Sequence, residues 1–297
     1  MKDIKQKIYE LTEKLNKYRK EYYELDAPTI SDFEYDSLIH NLEELEKQYP
    51  EYALPNSPTK QVGYNVETPF EKVVFKKPML SFGDIFNYEE VKEFVNRINN
   101  MGFSPTFVCE LKIDGIASSI TYNKGFLTLG STRGNGSVGE NITENVKTIE
   151  SLPKVLAKDL DVEVRGEVYM KRSVLKYLNE ERKRQGLEEF KNCRNAAGGS
   201  LRQLDANVTK TRQLDTFDYT LVHPENFSVT NQVDALKFMK ECGFEVNPNY
   251  KLCHNVNDII DYLEYWKEKR KDLDYDTDGV VIKVNEFDLQ EKIGYCL

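Results

Sequence analysis

The sequence of 297 residues lacks the features that define several protein classes. Its five cysteines are an odd number with no C-x-x-C pair, which argues against a disulfide framework and a zinc site built from this chain alone. No apolar run approaches the roughly 18 residues that a membrane-spanning helix needs. The first ten residues also lack the apolar segment of a secretory signal. We therefore expect a cytoplasmic protein with reduced thiols and no membrane partner.

A net positive charge is also lacking. The chain has 41 basic and 50 acidic residues, which gives a net charge of -9. Nonspecific attraction to a polyanion is therefore not a property of the whole surface, and any nucleic-acid site must be local. No G-x-G-x-x-G motif follows a predicted strand, which argues against a dinucleotide-binding dehydrogenase.

The first part of the chain has a helical pattern. Apolar residues recur with a period near 3.6 over residues 3–24, which predicts an amphipathic helix that Asp26-Ala-Pro28 ends. Ser31 and Glu34 fit a capping box that opens a second helix through about Gln48. Five prolines between positions 50 and 78 predict an irregular connection. We predict a helical hairpin domain over 1–67 and a second domain over 68–297.

The second domain combines helices and strands. Alternating or buried patterns predict strands over 106–111, 117–122, 126–131, 161–169, 215–222 and 278–284. Helical patterns cover 88–99, 171–185, 232–242 and 256–271. Asn123-Lys-Gly125 predicts a hairpin turn. The expected fold class is α+β, with antiparallel sheets flanked by helices.

One strand carries a candidate nucleophile. In Glu110-Leu-Lys112-Ile-Asp114-Gly115, strand alternation places the lysine and both carboxylates on one face. Only the neutral amine attacks phosphorus, and an unperturbed lysine is neutral in about one molecule in two thousand at pH 7. The carboxylates stabilise the ammonium form, so a reactive lysine needs nearby positive charge from a metal ion or basic residues. From these residues alone, an exposed strand with ordinary ion pairs remains the alternative.

Three further segments could supply or balance that charge. Arg133 lies at a predicted strand end beside glycines in Ser131-Thr-Arg133-Gly134, which suits close approach to a phosphate. Lys283 lies in the otherwise apolar strand of Asp278-Gly-Val-Val-Ile-Lys283, and a lysine in a buried strand is unusual. A third strand, of sequence Glu163-Val-Arg-Gly-Glu167, carries alternating charges. Each segment by itself also fits an ordinary ion pair.

Together with Phe217-Asp-Tyr219, these segments stand in the order of the motifs of the covalent nucleotidyltransferases. Over nearly its whole length the chain resembles the adenylation portion of bacterial NAD-dependent DNA ligases. The resemblance implies a helical NMN-binding domain and a nucleotidyltransferase (ATP-grasp-like) domain. It also implies that Lys112 attacks the AMP phosphorus of NAD and that NMN leaves, the first step of DNA nick sealing in replication and repair.

The resemblance assigns roles by motif position. It places Lys112, Asp114 and Lys283 in catalysis, with Asp114 organising the water shell of a magnesium ion that has no direct protein ligand. Tyr219 would stack on the adenine, Glu167 would bind the ribose and Arg133 would hold the ribose or a phosphate. The full set of implied adenosine and phosphate contacts is Leu80, Ser81, Glu110, Arg133, Glu167, Tyr219 and Lys283.

The helical hairpin carries a second candidate site, formed by Tyr22, Tyr23, Asp32, Tyr35 and Asp36. Aromatic faces and carboxylates suit a cationic nicotinamide ring and its carboxamide donors. Packing within the hairpin is the alternative explanation, because aromatic pairs in a two-helix unit are usually core. The pattern resembles the NMN-binding module of NAD-dependent ligases, which their ATP-dependent relatives lack.

Residues 191–205 alternate small residues with arginines. This arrangement lets guanidinium groups reach phosphates. A solvated loop is the alternative interpretation. The resemblance implies that Arg194 and Arg202 contact the backbone of nicked duplex DNA in the full-length protein, which we expect to be a monomer. The family's later lysine motif, OB-fold, zinc module and C-terminal DNA-binding domains are not in this sequence. We therefore expect self-adenylylation at most.

Two other functions remain as alternatives. An ATP-dependent polynucleotide ligase or capping-type transferase would use the same lysine but release pyrophosphate. A noncatalytic DNA-binding module would bind DNA and form no covalent adduct. The nucleotide donor distinguishes the first alternative, and the presence of an adduct distinguishes the second.

Overall fold

The computed structural model describes residues 2–23, 29–30, 32–60, 69–80 and 83–294, apart from the side chains of residues 2, 3, 22, 23, 32, 33 and 36. The chain divides into two compact units. One comprises Met1–Ser81 with Arg133–Asn141, and the other comprises Phe82–Thr132 with Ile142–Leu297. The first unit is therefore discontinuous in sequence. The domain boundary after residue 67 stays a prediction.

Helices and strands occur in both units. In chain order the helices are α1 (Lys2–Tyr23), α2 (Asp32–Gln48), α3 (Tyr88–Asn100), α4 (Thr143–Val146), α5 (Arg172–Arg184), α6 (Cys193–Leu201), α7 (Ala206–Lys210), α8 (Gln232–Glu241), α9 (Val256–Lys269) and α10 (Phe287–Ile293). The strands are β1 (Lys72–Val74), β2 (Phe107–Ile113), β3 (Ile116–Asn123), β4 (Phe126–Thr132), β5 (Val138–Glu140), β6 (Val162–Tyr169), β7 (Asp215–Val222), β8 (Lys251–Cys253) and β9 (Thr277–Val284). Within the described part of the chain, every helix is too short or too polar to span a bilayer.

The first unit contains the predicted helical hairpin. Helices α1 and α2 pack together around Ile8, Leu15 and Leu42, which are fully buried. Ile8 and Leu15 are seven residues apart and therefore lie on the same face of α1. The predicted capping residue Ser31 lies outside the described residues, but α2 begins directly after it. The apolar period thus accounts for this unit.

A two-stranded antiparallel sheet completes the first unit. Strand β1 pairs with β5, with Lys72 opposite Glu140. The turn before β5 contains Gly134 and Gly136, with positive φ angles of 54° and 87°. A Cβ on Gly134 would lie 2.0 Å from the Val138 carbonyl oxygen, so the turn requires glycine there. The segment that follows Arg133 is therefore a tight turn.

The second unit contains two antiparallel sheets, which confirms the predicted α+β class. The strand orders are β8-β2-β9 and β4-β3-β6-β7. All six strands predicted in this region are present. The predicted hairpin turn joins β3 to β4, and Lys124 and Gly125 both have positive φ, as a tight hairpin of this length favours.

Two hydrophobic cores support these sheets. Helices α6 and α8 cover the four-stranded sheet, whereas α3 and α9 pack with the three-stranded sheet. The cysteines at 109, 193, 242 and 253 are buried and free. Strand β9 was expected to be buried, but only Val284 is, because β9 lies at the edge of its sheet.

The segment of small residues within 191–205 is not the solvated loop that was the alternative prediction. Residues 193–201 form helix α6, which packs against β3 and β6. Ala196, Ala197 and Gly198 are buried, and their small side chains allow close approach to the sheet. The composition that suggested an open loop therefore belongs to a tightly packed helix.

A bulge in β7 depends on one glycine. The register between β6 and β7 shifts between Arg165 and Gly166, so that Tyr219 is the additional residue on β7. A Cβ on Gly166 would lie 2.4 Å from the Phe217 carbonyl oxygen and 2.5 Å from Oδ1 of Asp218. The close approach of these strands therefore requires glycine.

Gly166→Ala should lower the free energy of unfolding by roughly 1–3 kcal/mol or more, because backbone atoms must move to admit the methyl group. Gly199→Ala is the control. It lies inside α6 with no atom within 4 Å of the added Cβ, and should raise that free energy by about 0.5–1 kcal/mol. Urea unfolding measures both. Equal effects of the two substitutions would contradict the packing argument.

Candidate active site

The register of β2 and β9 brings three predicted site residues onto one face. Glu110 is opposite Val281, Lys112 is opposite Gly279, and Lys283 is opposite Val108. Alternate residues of a strand share a face, as do directly paired residues of neighbouring strands. Lys283, Glu110 and Lys112 therefore form a row along this face.

Lys112 ends the row in an ion pair. Its Nζ lies 2.5 Å from Oδ2 of Asp278, and the two side chains are 44% and 17% exposed. The other oxygen of Asp278, Oδ1, is buried with no hydrogen-bond partner among the described residues. The pair stabilises the ammonium form of Lys112, so nucleophilic attack requires removal of this proton. Asp278 belongs to the segment Asp278-Gly-Val-Val-Ile-Lys283, in which only Lys283 was predicted to have a role.

Helix α6 places a second cation, Arg194, beside the carboxylate of Asp114. Nη1 of Arg194 lies 3.0 Å from Oδ1 of Asp114. Burial lowers the pKa of Arg194 to about 10, Asp278 opposes this shift, and Arg202 adds to it. Arg194 was predicted to contact DNA, but here its side chain is 16% exposed and is paired with Asp114. A DNA contact by Arg194 or by Arg202, which follows α6, stays a prediction.

At the other end of the row, Glu110 and Lys283 form a buried ion pair. Their Oε1 and Nζ atoms are 2.8 Å apart, and each side chain is 10% exposed. Nζ of Lys283 also lies 5.2 Å from the centre of the Tyr219 ring. A buried lysine needs such partners, which explains how the apolar strand β9 accommodates this charge.

Gln232 joins the same group from the first position of α8. Its Nε2 donates to Oε1 of Glu110 at 2.9 Å and to the carbonyl oxygen of Tyr219 at 2.8 Å. Its partners are 122 and 13 residues away in sequence. No motif in the sequence singled out this residue.

The four-stranded sheet contributes Tyr219 and Glu167 to the site. The Tyr219 hydroxyl donates to Oε2 of Glu167 at 3.1 Å. On the same strand as Glu167, Arg165 pairs with Glu163 at 3.1 Å. The structure therefore brings together Glu110, Lys112, Lys283, Glu167 and Tyr219 through strand register and direct contacts, and their roles stay predictions.

The remaining predicted residues belong to the first unit. Leu80 is 53% exposed, Arg133 is half-buried, and Tyr35 packs against the hairpin core. Ser81 and the side chains of Tyr22, Tyr23, Asp32 and Asp36 lie outside the described residues. The nucleotide contacts assigned to these residues stay predictions.

Carboxylates near Lys112 suit indirect contact with a hard cation. Among the described residues, no group of three or more His, Cys, Asp or Glu side chains is placed to hold a metal ion. Asp114 and the buried oxygen of Asp278 could accept hydrogen bonds from the water shell of magnesium, which keeps several of its waters when it binds proteins.

Asp218 is a buried acid directly before Tyr219. Burial raises its pKa to about 7, and the charge of Glu245 adds to the shift. Its Oδ2 has no hydrogen-bond partner among the described residues. Asp218 stands in the segment Phe217-Asp-Tyr219, in which only Tyr219 was predicted to have a role. It is a candidate source of pH-dependent stability beside the site.

Two family models match this chain. Residues 67–297 match the family model described as the NAD-dependent DNA ligase adenylation domain. Residues 1–63 match the model described as the DNA ligase-like, N-terminal NAD+-binding domain. The chain therefore belongs to the NAD-dependent DNA ligase family.

Similar curated proteins bear the name DNA ligase. One from Anoxybacillus flavithermus is 46% identical over 98% of this chain and 44% of its own length. One from Acholeplasma laidlawii is 49% identical over 99% of this chain and 44% of its own length. The chain thus spans less than half the length of these relatives.

Asp218→Asn should stabilise the protein increasingly as the pH rises from about 4 to 8. In the unfolded protein Asp218 loses its proton near pH 4, whereas in the folded protein it keeps this proton until about pH 7. The free energy of unfolding therefore falls as the pH rises from about 4 through about 7. The gain at pH 8 should reach at most about 4 kcal/mol. Urea unfolding at pH 5 and 8 tests this, with the exposed Asp159→Asn as control. A gain that is equal at both pH values would contradict the raised pKa.

Proposed function

We propose that this chain carries out the NAD-dependent adenylation step of a DNA ligase. Lys112 attacks the AMP phosphorus of NAD, a phosphoramide forms and NMN is released. Family membership supports this reaction. The observation that supports it is the row of Lys112, Glu110 and Lys283 on one face of β2 and β9, in which the proposed nucleophile and the proposed recognition groups are neighbours.

The reaction begins with the loss of a proton from the Lys112 ammonium group. Oδ2 of Asp278, at 2.5 Å, is a suitable acceptor before the proton passes to solvent. The Nζ lone pair then forms the N–P bond, and the bond from phosphorus to the bridging oxygen of NAD breaks. NMN leaves with that oxygen and its electron pair, and Nζ loses a second proton to solvent to give the phosphoramide. Arg194 and Lys283 carry positive charge in the same proposed site, which favours the neutral amine and stabilises the negative charge of the transferred adenylyl group.

Magnesium, when present, would supply positive charge that neutralises the phosphates. Asp114 and Asp278 would hold it through water, without direct ligation. Both carboxylates also serve as partners of Arg194 and Lys112, so they order the cations around the transferred phosphorus.

We propose that Glu110 and Tyr219 contact adenine and that Lys283 contacts the adenine or its phosphate. Glu167 would bind the ribose and Arg133 would hold the ribose or a phosphate, with Leu80 and Ser81 beside the adenosine. Tyr22, Tyr23, Asp32, Tyr35 and Asp36 would bind NMN. The pairing of Tyr219 with Glu167 supports a shared base and ribose site.

Nicked duplex DNA is the proposed partner of a protein with the relatives' full length, in which Arg202 and Arg194 contact phosphates. For the present chain, which spans about 44% of those relatives, we propose self-adenylylation. The proposed setting is the cytoplasm, with the protein as a monomer.

Incubation with NAD and magnesium should add one AMP to Lys112 and release NMN, whereas ATP should give no adduct. Lys112→Ala should abolish the adduct because it removes the proposed nucleophile. Lys176→Ala, an exposed lysine on α5, is the matched control and should retain it. Intact mass and peptide mapping measure the products.

An adduct that persists in Lys112→Ala would contradict the proposed reaction. Efficient use of ATP would favour the ATP-dependent alternative, and DNA binding without any adduct would favour the noncatalytic one.

Asp36→Ala should raise the KM for NAD about tenfold or more, because one charged contact with the nicotinamide portion is worth about 1.5–3 kcal/mol. Glu44→Ala removes an exposed carboxylate from the same helix and should leave the KM unchanged. The measurement is the initial rate of adduct formation against NAD concentration. Equal KM values for both variants and the wild type would remove Asp36 from the NMN site.

A further inference from the structure

Gln232 forms a buried bridge between two strands of the active site. The residue is 4% exposed. Its side-chain amide has two hydrogens, and the structure uses one for Glu110 on β2 and one for the carbonyl of Tyr219 on β7. Both donor capacities are therefore spent on residues of the proposed adenine site.

The bridge fixes the orientation of the Glu110 carboxylate. Oε1 receives Nε2 of Gln232 at 2.9 Å and Nζ of Lys283 at 2.8 Å. Oε2 takes part in neither contact. Two hydrogen-bond donors on Oε1 fix the plane of the carboxylate and leave Oε2 as the oxygen that can accept a further hydrogen bond.

Gln232 is itself held firmly. Its backbone N–H donates to the Asn285 carbonyl oxygen at 2.8 Å, and the N–H of Val233 donates to Oδ1 of Asn285. Asn231 caps α8 by accepting from the N–H of Asp234. The start of α8 is therefore attached to the chain directly after β9. A side chain supported in this way can hold its partner in a defined position.

We propose that Gln232 is a positioning residue that aims Oε2 of Glu110 at the exocyclic amine of adenine and so selects 6-amino over 6-oxo purines. This inference rests on the proposed function. A carboxylate oxygen only accepts hydrogen bonds, so it attracts the amine of adenine. The carbonyl oxygen that hypoxanthine has at the same position would face it as a second acceptor. Gln232 acts through Glu110 and does not itself react.

The test compares NAD with nicotinamide hypoxanthine dinucleotide as donor. These molecules differ at the purine 6-position and share the NMN half. Adduct formation on Lys112 is followed by intact mass, and kcat and KM are measured for each donor. The wild type should prefer NAD by at least about tenfold in kcat/KM, since a site that hydrogen-bonds a substrate N–H discriminates against an analogue lacking it.

Gln232→Met keeps the length of the side chain and removes both donors. It should lower kcat/KM for NAD roughly tenfold or more, mainly through KM, and change the value for the hypoxanthine donor by less than about threefold. The matched control is Gln203→Met. Gln203 is a half-buried glutamine whose Nε2 donates to the Gly199 carbonyl, and its replacement should preserve the preference.

Each outcome has one meaning. The inference is supported if Gln232→Met loses the preference for NAD and the control Gln203→Met keeps it. An equal loss for both donors, an unchanged preference, or a wild type without any preference overturns it, while an NAD adduct in the wild type leaves the proposed function intact. Absence of any adduct in the wild type overturns the proposed function. If circular dichroism shows Gln232→Met to be unfolded, Gln232→Glu, of the same shape, is judged by the same ratio.

Discussion

The ion pair between Lys112 and Asp278 is the constraint around which the site is organised. A nucleophilic lysine must be neutral when it attacks, yet a carboxylate at 2.5 Å favours its charged form. The surrounding groups balance this effect. Arg194 neutralises Asp114, and Lys283 neutralises Glu110, so two of the carboxylates near Lys112 are already paired with other cations. Such a site holds the amine in position, and in the proposed reaction added positive charge would favour the loss of its proton.

Much of the fold follows from sequence periodicity. The hairpin helices and the six strands of the larger unit were predictable because each buries one regular face, as Ile8 and Leu15 illustrate. The short strands β1, β5 and β8 were not predicted. Three residues contain too little alternation to be recognised, and their partners are distant in sequence. Helix α6 was missed because its small residues resemble a flexible segment until the sheet they pack against is known.

The site was predictable only in part, for a related reason. Glu110, Lys112 and Lys283 could be placed because strand alternation fixes which face each residue occupies. Asp278 stood in a recognised segment, but its contact with Lys112 depends on the register between strands more than 160 residues apart. The role of Gln232 depends on where α8 begins relative to β2 and β7. Neither relation is encoded in local sequence.

The discontinuity of the first unit has a consequence for dissecting this protein. Because β5 has β1 as its pairing partner, a shortened chain that starts after residue 81 would retain β5 with an uncovered edge. Unpaired backbone edges of this kind promote association between molecules. A shortened chain that starts at residue 69 would keep both strands together, so the two starting points should differ in their tendency to aggregate.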